Sequence, residues 1–217
     1  MQIDDICKQL LSNAALDGGF NAIGLSQGGL LLRGLVQRCA GLHVHNLVTF
    51  GSPHQGVGAV PGCTAQTDSN CRLVHSLVSI GVYVPWVQAV LVVAQYYKMY
   101  TNMHSYLKAS LFLADINNER TPANSTYVSA LAKLNTLVLV KFDRDTTVVP
   151  AESAWFGFFD ANGTVVSRRN FPSHSGLGLD KMEDAGKVVF LGIDAAHMHI
   201  STADWELVAR LYLSDVL

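Results

Sequence analysis

The period of apolar positions changes several times along the chain, and each change marks an element. Residues 3–16 carry apolar side chains at helical spacing and read as a helix ending near Asp17-Gly18-Gly19. Phe20–Leu25 reads as a short strand running straight into Ser26-Gln27-Gly28-Gly29, after which helical spacing resumes to about Gln37. Residues 45–51 form a second short strand, closed by Ser52-Pro53-His54-Gln55-Gly56. Strand, helix and strand within about thirty residues make a βαβ unit, so these strands belong to a parallel sheet. Thr136–Phe142 is continuously apolar up to Lys141, as strands covered on both faces are, and residues 187–192 supply a fourth strand. The chain closes on an amphipathic helix over 202–214, in which Trp205, Val208 and Leu211 or Tyr212 share a face.

Between the second and third strands lies a long segment without sheet pattern, and residues 76–97 within it contain no charged side chain. That run has the length of a membrane span. Pro85 in its middle, Gly81, two glutamines and the surrounding α/β pattern argue instead for a lid of short apolar helices. The expected organisation is one α/β domain over 1–217 with a helical lid over 57–130 and no transmembrane span.

Composition narrows the function classes. A chain of 217 residues builds one domain with a substantial core. The net charge of −2 and the lack of any Lys/Arg cluster exclude a nucleic-acid groove. With 49% hydrophobic and 15% charged residues, the surface is sparingly charged and suited to peripheral contact with lipid or a partner. The cysteines fall as two local pairs, Cys7 with Cys39 and Cys63 with Cys71, and read as bridges, with four buried thiols the lesser alternative. Neither C-x2-C spacing nor a histidine partner accompanies them, so no metal is expected. Sequons at Asn124 and Asn162 point to an oxidising compartment. The N-terminus, MQIDDICKQL, has neither the basic nor the apolar region of a signal peptide.

The candidate chemistry starts at Gly24-Leu25-Ser26-Gln27-Gly28, a G-x-S-x-G pattern with a strand before it and a helix after. In that context Ser26 sits on a strained turn, Gly24 and Gly28 avoid collisions, and the Gln27 N–H faces a developing oxyanion. The serine needs a base and a carboxylate, arriving in the order Ser, Asp/Glu, His. Asp143 and Asp145 both follow the third strand; His197 and His199 both follow the fourth, with His54 a further rival.

These motifs extend to a family. FNAIGLSQGG, GSPHQGV, SLFLADINNER, VKFDRDTTVVPAESAWFGF and LGLDKMEDAGKVVFL leading to His197 resemble the palmitoyl-protein thioesterases, over essentially the whole chain. The resemblance implies an α/β-hydrolase fold and removal of long-chain fatty acyl groups from S-acylated proteins or acyl-CoA, without metal or organic cofactor. It assigns Ser26 as nucleophile, Asp145 rather than Asp143 as carboxylate, and His197 rather than His199 as base. It also implies disulfides Cys7–Cys39 and Cys63–Cys71, glycosylation at Asn124, an acyl groove along the lid between Leu73 and Met103, and a lysosomal or secreted location. Family members carry a signal peptide and strands ahead of the elbow, one of whose loops gives the second oxyanion donor. The expectation is therefore a sheet lacking its N-terminal strands. A carboxylester lipase and an impaired acyl-binding form are the alternatives.

Overall fold

The computed structural model describes residues 2–59, 81–170 and 174–213. Cys63, Cys71, Leu73 and part of the charge-free run lie outside the described residues.

The first helix, α1 (Gln2–Leu11), stops earlier than its apolar spacing suggests. Asn13 caps a separate 3-10 turn, Ala14–Leu16, by accepting from the Ala15 N–H. Then follow β1 (Phe20–Leu25), α2 (Gln27–Arg38) and β2 (Val44–Phe50). Between β2 and the next sheet strand the chain forms α3 (Pro85–Val90), α4 (Met103–Ala109), α5 (Leu113–Ile116) and α6 (Ser125–Ala132). Next come β3 (Thr136–Phe142), the small hairpin β4 (Phe158–Phe159) and β5 (Val165–Val166), and α7 (Leu179–Asp184). The last elements are β6 (Val188–Ile193) and α8 (Thr202–Tyr212). Among the described residues no helix is long and apolar enough to cross a membrane. The described part of the charge-free run is cut at Leu91 into the six-residue α3 and a 3-10 turn, Val92–Tyr96.

β1, β2, β3 and β6 pair in that order, all parallel. Period-two alternation splits β3 between two cores. Leu137 and Leu139 face Leu131, Leu134, Leu179 and Met182. Val138, Val140 and Phe142 face Val48, Phe50 and Val208 of α8. Each fully buried Leu, Val or Phe side chain contributes about 1.5–3 kcal/mol, so a sheet covered on both sides is the stable solution for so apolar a strand. On α8, Val208 is buried and Tyr212 packs beside it, whereas Leu211 is exposed. Trp205 stacks on Phe50 with one side still open. The hairpin was not anticipated, since its two-residue strands are too short to carry a period.

Cys7 and Cys39 are disulfide-bonded, tying α1 to the end of α2 across a sequence separation of 32. Closing a loop of that size stabilises by about 3–4 kcal/mol in the chain-entropy model.

Candidate active site

The turn between β1 and α2 holds Ser26 at φ 51°, ψ −124°, a conformation that a non-glycine residue adopts only where the surroundings enforce it. Its N–H is anchored on the Phe50 carbonyl at 2.7 Å. A Cβ added at Gly24 would lie 2.2 Å from the Gly29 Cα, and one at Gly29 would lie 2.1 Å from Ser52 Oγ. A Cβ at Gly28 would meet nothing within 4 Å. The steric requirement expected at Gly28 thus falls on Gly29, because that residue faces β2 while Gly28 faces open space. Gln27 opens α2, so its N–H has no intrahelical acceptor.

Parallel strands deliver the other groups to the same sheet edge. His197, in the loop after β6, places Nε2 2.9 Å from Ser26 Oγ. Its Nδ1 lies 2.6 Å from Asp145 Oδ2, in the loop after β3. The other carboxylate oxygen of Asp145 accepts from the N–H groups of Thr147 at 2.8 Å and Val148 at 2.9 Å. An ionised carboxylate only accepts, so Asp145 holds the imidazole proton on Nδ1 and leaves Nε2 free to accept from the serine. The Asp145 side chain is 2% exposed and that of His197 14%, so the carboxylate is shielded while the imidazole stays reachable. Gly51, at φ +55°, makes room: a Cβ there would lie 3.1 Å from His197 Cε1 and 2.9 Å from the Phe142 ring.

The rivals lie elsewhere. Asp143 is exposed and ion-paired with Lys141 at 3.0 Å, and His199 is exposed. His54 is fully buried, stacked on Phe156, with Nε2 2.9 Å from Thr49 Oγ1. Burial, then the Arg33 charge, holds its pKa well below the usual histidine value. Both sequons are exposed: Asn124 caps α6 and accepts from Thr126, and Asn162 sits in the β4–β5 turn.

Sequence reasoning missed the polar network beneath the site. Arg33 of α2, fully buried, donates to the carbonyls of His54 and Ile116, each at 3.1 Å, and to Asn117 Oδ1 at 2.6 Å. Burial lowers its pKa to about 9, against the opposing pull of Glu119. Lys98, also buried, donates to Gln55 at 3.0 Å and Glu119 at 2.6 Å, and Tyr106 donates to the other Glu119 oxygen. The one available signal was Arg33 itself, an arginine interrupting the apolar face of α2 between Leu30 and Gly34.

A groove of about 220 Å³ runs between α1, α2 and the segment after α3, lined by Ile3, Gln27, Leu30, Val92, Tyr96 and Phe112. A larger cavity, about 870 Å³, opens at the opposite end of α2 around His43, His45 and Lys133. It contains no member of the Ser26, His197 and Asp145 cluster, whereas the smaller groove reaches the residue next to Ser26. Among the described residues no cluster of His, Cys, Asp or Glu suits a metal.

A strained serine between a parallel strand and a helix, on a sheet with helices on both faces, defines the α/β-hydrolase class. Residues 1–197 match the profile of the palmitoyl protein thioesterase family, and the chain belongs to that family. It is 39% identical over 199 residues to palmitoyl-protein thioesterase 1 of Caenorhabditis elegans, covering 89% of this chain and 66% of that protein. It is 35% identical over 217 residues to a palmitoyl-protein thioesterase-dolichyl pyrophosphate phosphatase fusion of Schizosaccharomyces pombe, covering 99% of this chain and 35% of the fusion. Against the lysosomal thioesterase PPT2 of Mus musculus it is 30% identical over 206 residues, 90% of this chain and 66% of the relative. The chain thus spans about a third of the fusion and just under two thirds of the other two.

Proposed function

We propose that this chain is a serine thioesterase that cleaves long-chain fatty acyl groups from S-acylated cysteines of proteins, or from acyl-CoA. The observation that carries the reading is the Ser26–His197–Asp145 relay, with spacings of 2.9 and 2.6 Å. Ser26 Oγ attacks the thioester carbonyl as His197 Nε2 takes its proton, and the Gln27 N–H donates to the oxyanion. The C–S bond breaks as the tetrahedral intermediate collapses, and the sulfur leaves as thiol with the proton His197 holds. Water, deprotonated by His197, then releases the fatty acid and restores Ser26. Asp145 keeps the imidazole tautomer and stabilises its cation. No metal or organic cofactor enters these steps.

The groove beginning at Gln27 suits the acyl chain, since each buried methylene contributes roughly 0.8 kcal/mol. From the expected lid, Val92, Tyr96 and Phe112 line this groove. Exposed Trp86, Val90, Leu91 and Leu111, without a charge among them, suit peripheral contact with lipid. The names of relatives such as the mouse lysosomal thioesterase support a lysosomal location, and the exposed Asn124 and Asn162 suit glycosylation. The test is labelling of Ser26 by a fluorophosphonate probe, followed by rates on a palmitoyl thioester and the matching oxygen ester. Labelling with preference for the thioester supports the reading. Preference for the ester turns it into a carboxylester lipase, and absence of labelling overturns the nucleophile.

A further inference from the structure

Beside His197 the chain holds a backbone conformation that its side chain disfavours. Residues 196–199 form a turn closed by the His199 N–H on the Ala196 carbonyl at 3.0 Å, with His197 second and Met198 third. Met198 has φ +63°, in the left-handed region. A third turn position with positive φ ordinarily goes to glycine or asparagine, and a long apolar side chain there is uncommon. The Met198 side chain packs on the core cluster that contains Phe50, Phe142 and Val208, as does Ile200 two residues on. That cluster also borders the relay. The Phe50 carbonyl accepts from the Ser26 N–H, and the Phe142 ring meets the His197 ring edge-on at 6.0 Å between centroids. Ahead of the turn, the Ala195 carbonyl accepts from the Arg144 N–H at 3.1 Å, tying this loop to the one that carries Asp145. Successive side chains thus part ways: His197 reaches Ser26, Met198 the core and His199 the solvent.

We propose that Met198 is a positioning residue for the His197 imidazole, an inference that rests on the reading of His197 as the base. Strained conformations persist where the surroundings over-determine them, and they gather at active sites. Here the Met198 side chain supplies the constraint: its seat on the core fixes the turn, and with it the direction of His197. Glycine adopts the same φ without strain but leaves the turn without that anchor. Strain and anchorage therefore predict opposite outcomes for Met198→Gly. Relief of strain alone stabilises the fold and leaves the relay as it was, whereas loss of the anchor frees the imidazole. Met198 in this role acts through His197 and takes no part in bond making.

The experiment follows His197 in two ways in Met198→Gly: kcat and KM on a palmitoyl thioester, and the low-field proton resonance of the Nδ1–H held by Asp145. The expected fall in kcat is about 10- to 10²-fold, the cost of a small misplacement of a reacting group, with KM nearly unchanged. The resonance is expected to broaden or vanish in the folded variant. Met198→Leu, which conserves volume, restores both. Ile200→Ala is the control, since it removes a side chain from the same cluster outside the turn. It lowers the melting temperature and leaves kcat and the resonance as in wild type. Should Met198→Gly not fold, Met198→Ala gives the same two readings. An unchanged kcat and resonance at position 198, or equal losses in Ile200→Ala, overturns the role. The resonance is read in the resting protein. Its loss in Met198→Gly, alongside a wild-type Ser26 inert to fluorophosphonate, would sink the proposed reaction and leave the positioning role standing.

Discussion

The site at the sheet edge and the polar network under it differ in how their charges are arranged. At the edge, Ser26, His197 and Asp145 form a line, with the carboxylate shielded and the serine end open. Beneath it, the cations of Arg33 and Lys98 and the carboxylate of Glu119 are all enclosed, linked through Gln37, Gln55 and Asn117. The first arrangement suits the proposed proton transfer because one group remains accessible. The second has no open end, and it fixes the loop after β2, α2 and α5 against one another. Loss of a residue from the first should therefore abolish turnover and spare the fold, and loss from the second should do the reverse.

The largest expected effect is at the edge. Ser26→Ala, His197→Ala and Asp145→Asn should each lower thioester turnover on the order of 10⁴-fold with melting temperature nearly unchanged. Asp143→Asn and His199→Ala should stay within a few-fold, since both side chains are exposed and outside the relay. An inactive Asp143→Asn enzyme beside an active Asp145→Asn one would reverse the carboxylate assignment.

The next effect belongs to the network. Arg33→Met leaves the His54 and Ile116 carbonyls and Asn117 Oδ1 without this donor, and leaves Glu119 to balance one buried cation instead of two. The expected loss is about 3–5 kcal/mol of unfolding free energy in urea titration, the range for breaking a buried ionic cluster. Residual folded protein should still label at Ser26. A variant that melts normally but fails to label would show that Arg33 acts on the site directly and dissolve the contrast.

The two regions were also unequally legible in the sequence. The elbow is local: Gly24 to Gly29 lie within six residues, and the strand and helix on either side are visible from their periods. Parallel strand order then carries Asp145 and His197 to the same edge, but strand ends alone did not separate Asp145 from Asp143. What separates them is that Asp145 turns inward onto the Thr147 and Val148 N–H groups while Asp143 pairs outward with Lys141. The network had no comparable signature. Apart from Arg33, which interrupts the apolar face of α2, its members Gln55, Lys98 and Glu119 are far apart in sequence and read as ordinary surface positions until the fold encloses them.

A smaller effect sharpens the division inside the elbow. Gly29→Ala forces a Cβ to within 2.1 Å of Ser52 Oγ and 2.9 Å of the Thr49 side chain, so α2 must shift away from β2. Overpacking of this kind costs about 1–3 kcal/mol. Because Ser26 begins that helix, fluorophosphonate labelling should slow in parallel. Gly28→Ala, facing open space, should change stability by no more than about 0.5 kcal/mol. Equal effects at the two glycines would remove the steric account of the turn.

The last prediction separates the two regions by pH. His54 is buried beside Arg33, whose guanidinium donates to the His54 carbonyl, so a second positive charge there is opposed by both desolvation and repulsion. Thr49 Oγ1 donates to the Val138 carbonyl and accepts from His54 Nε2, which leaves Nδ1 as the bare nitrogen; it has no hydrogen-bond partner. In the unfolded chain this histidine takes up a proton as pH falls through about 6.5. In the folded chain it does so only at much lower pH. Below about pH 6.5 the unfolded state therefore binds one more proton, and stability falls with decreasing pH by up to about 1.4 kcal/mol per unit from this residue. The fall continues until the folded-state pKa is reached, and above pH 6.5 the contribution is flat. Urea titrations of wild type and His54→Gln between pH 7.5 and 5 isolate the effect as the difference in slope, on the order of one proton. If the two proteins lose stability in parallel, His54 is protonated in the fold and the enclosed network tolerates a charge that its geometry argues against.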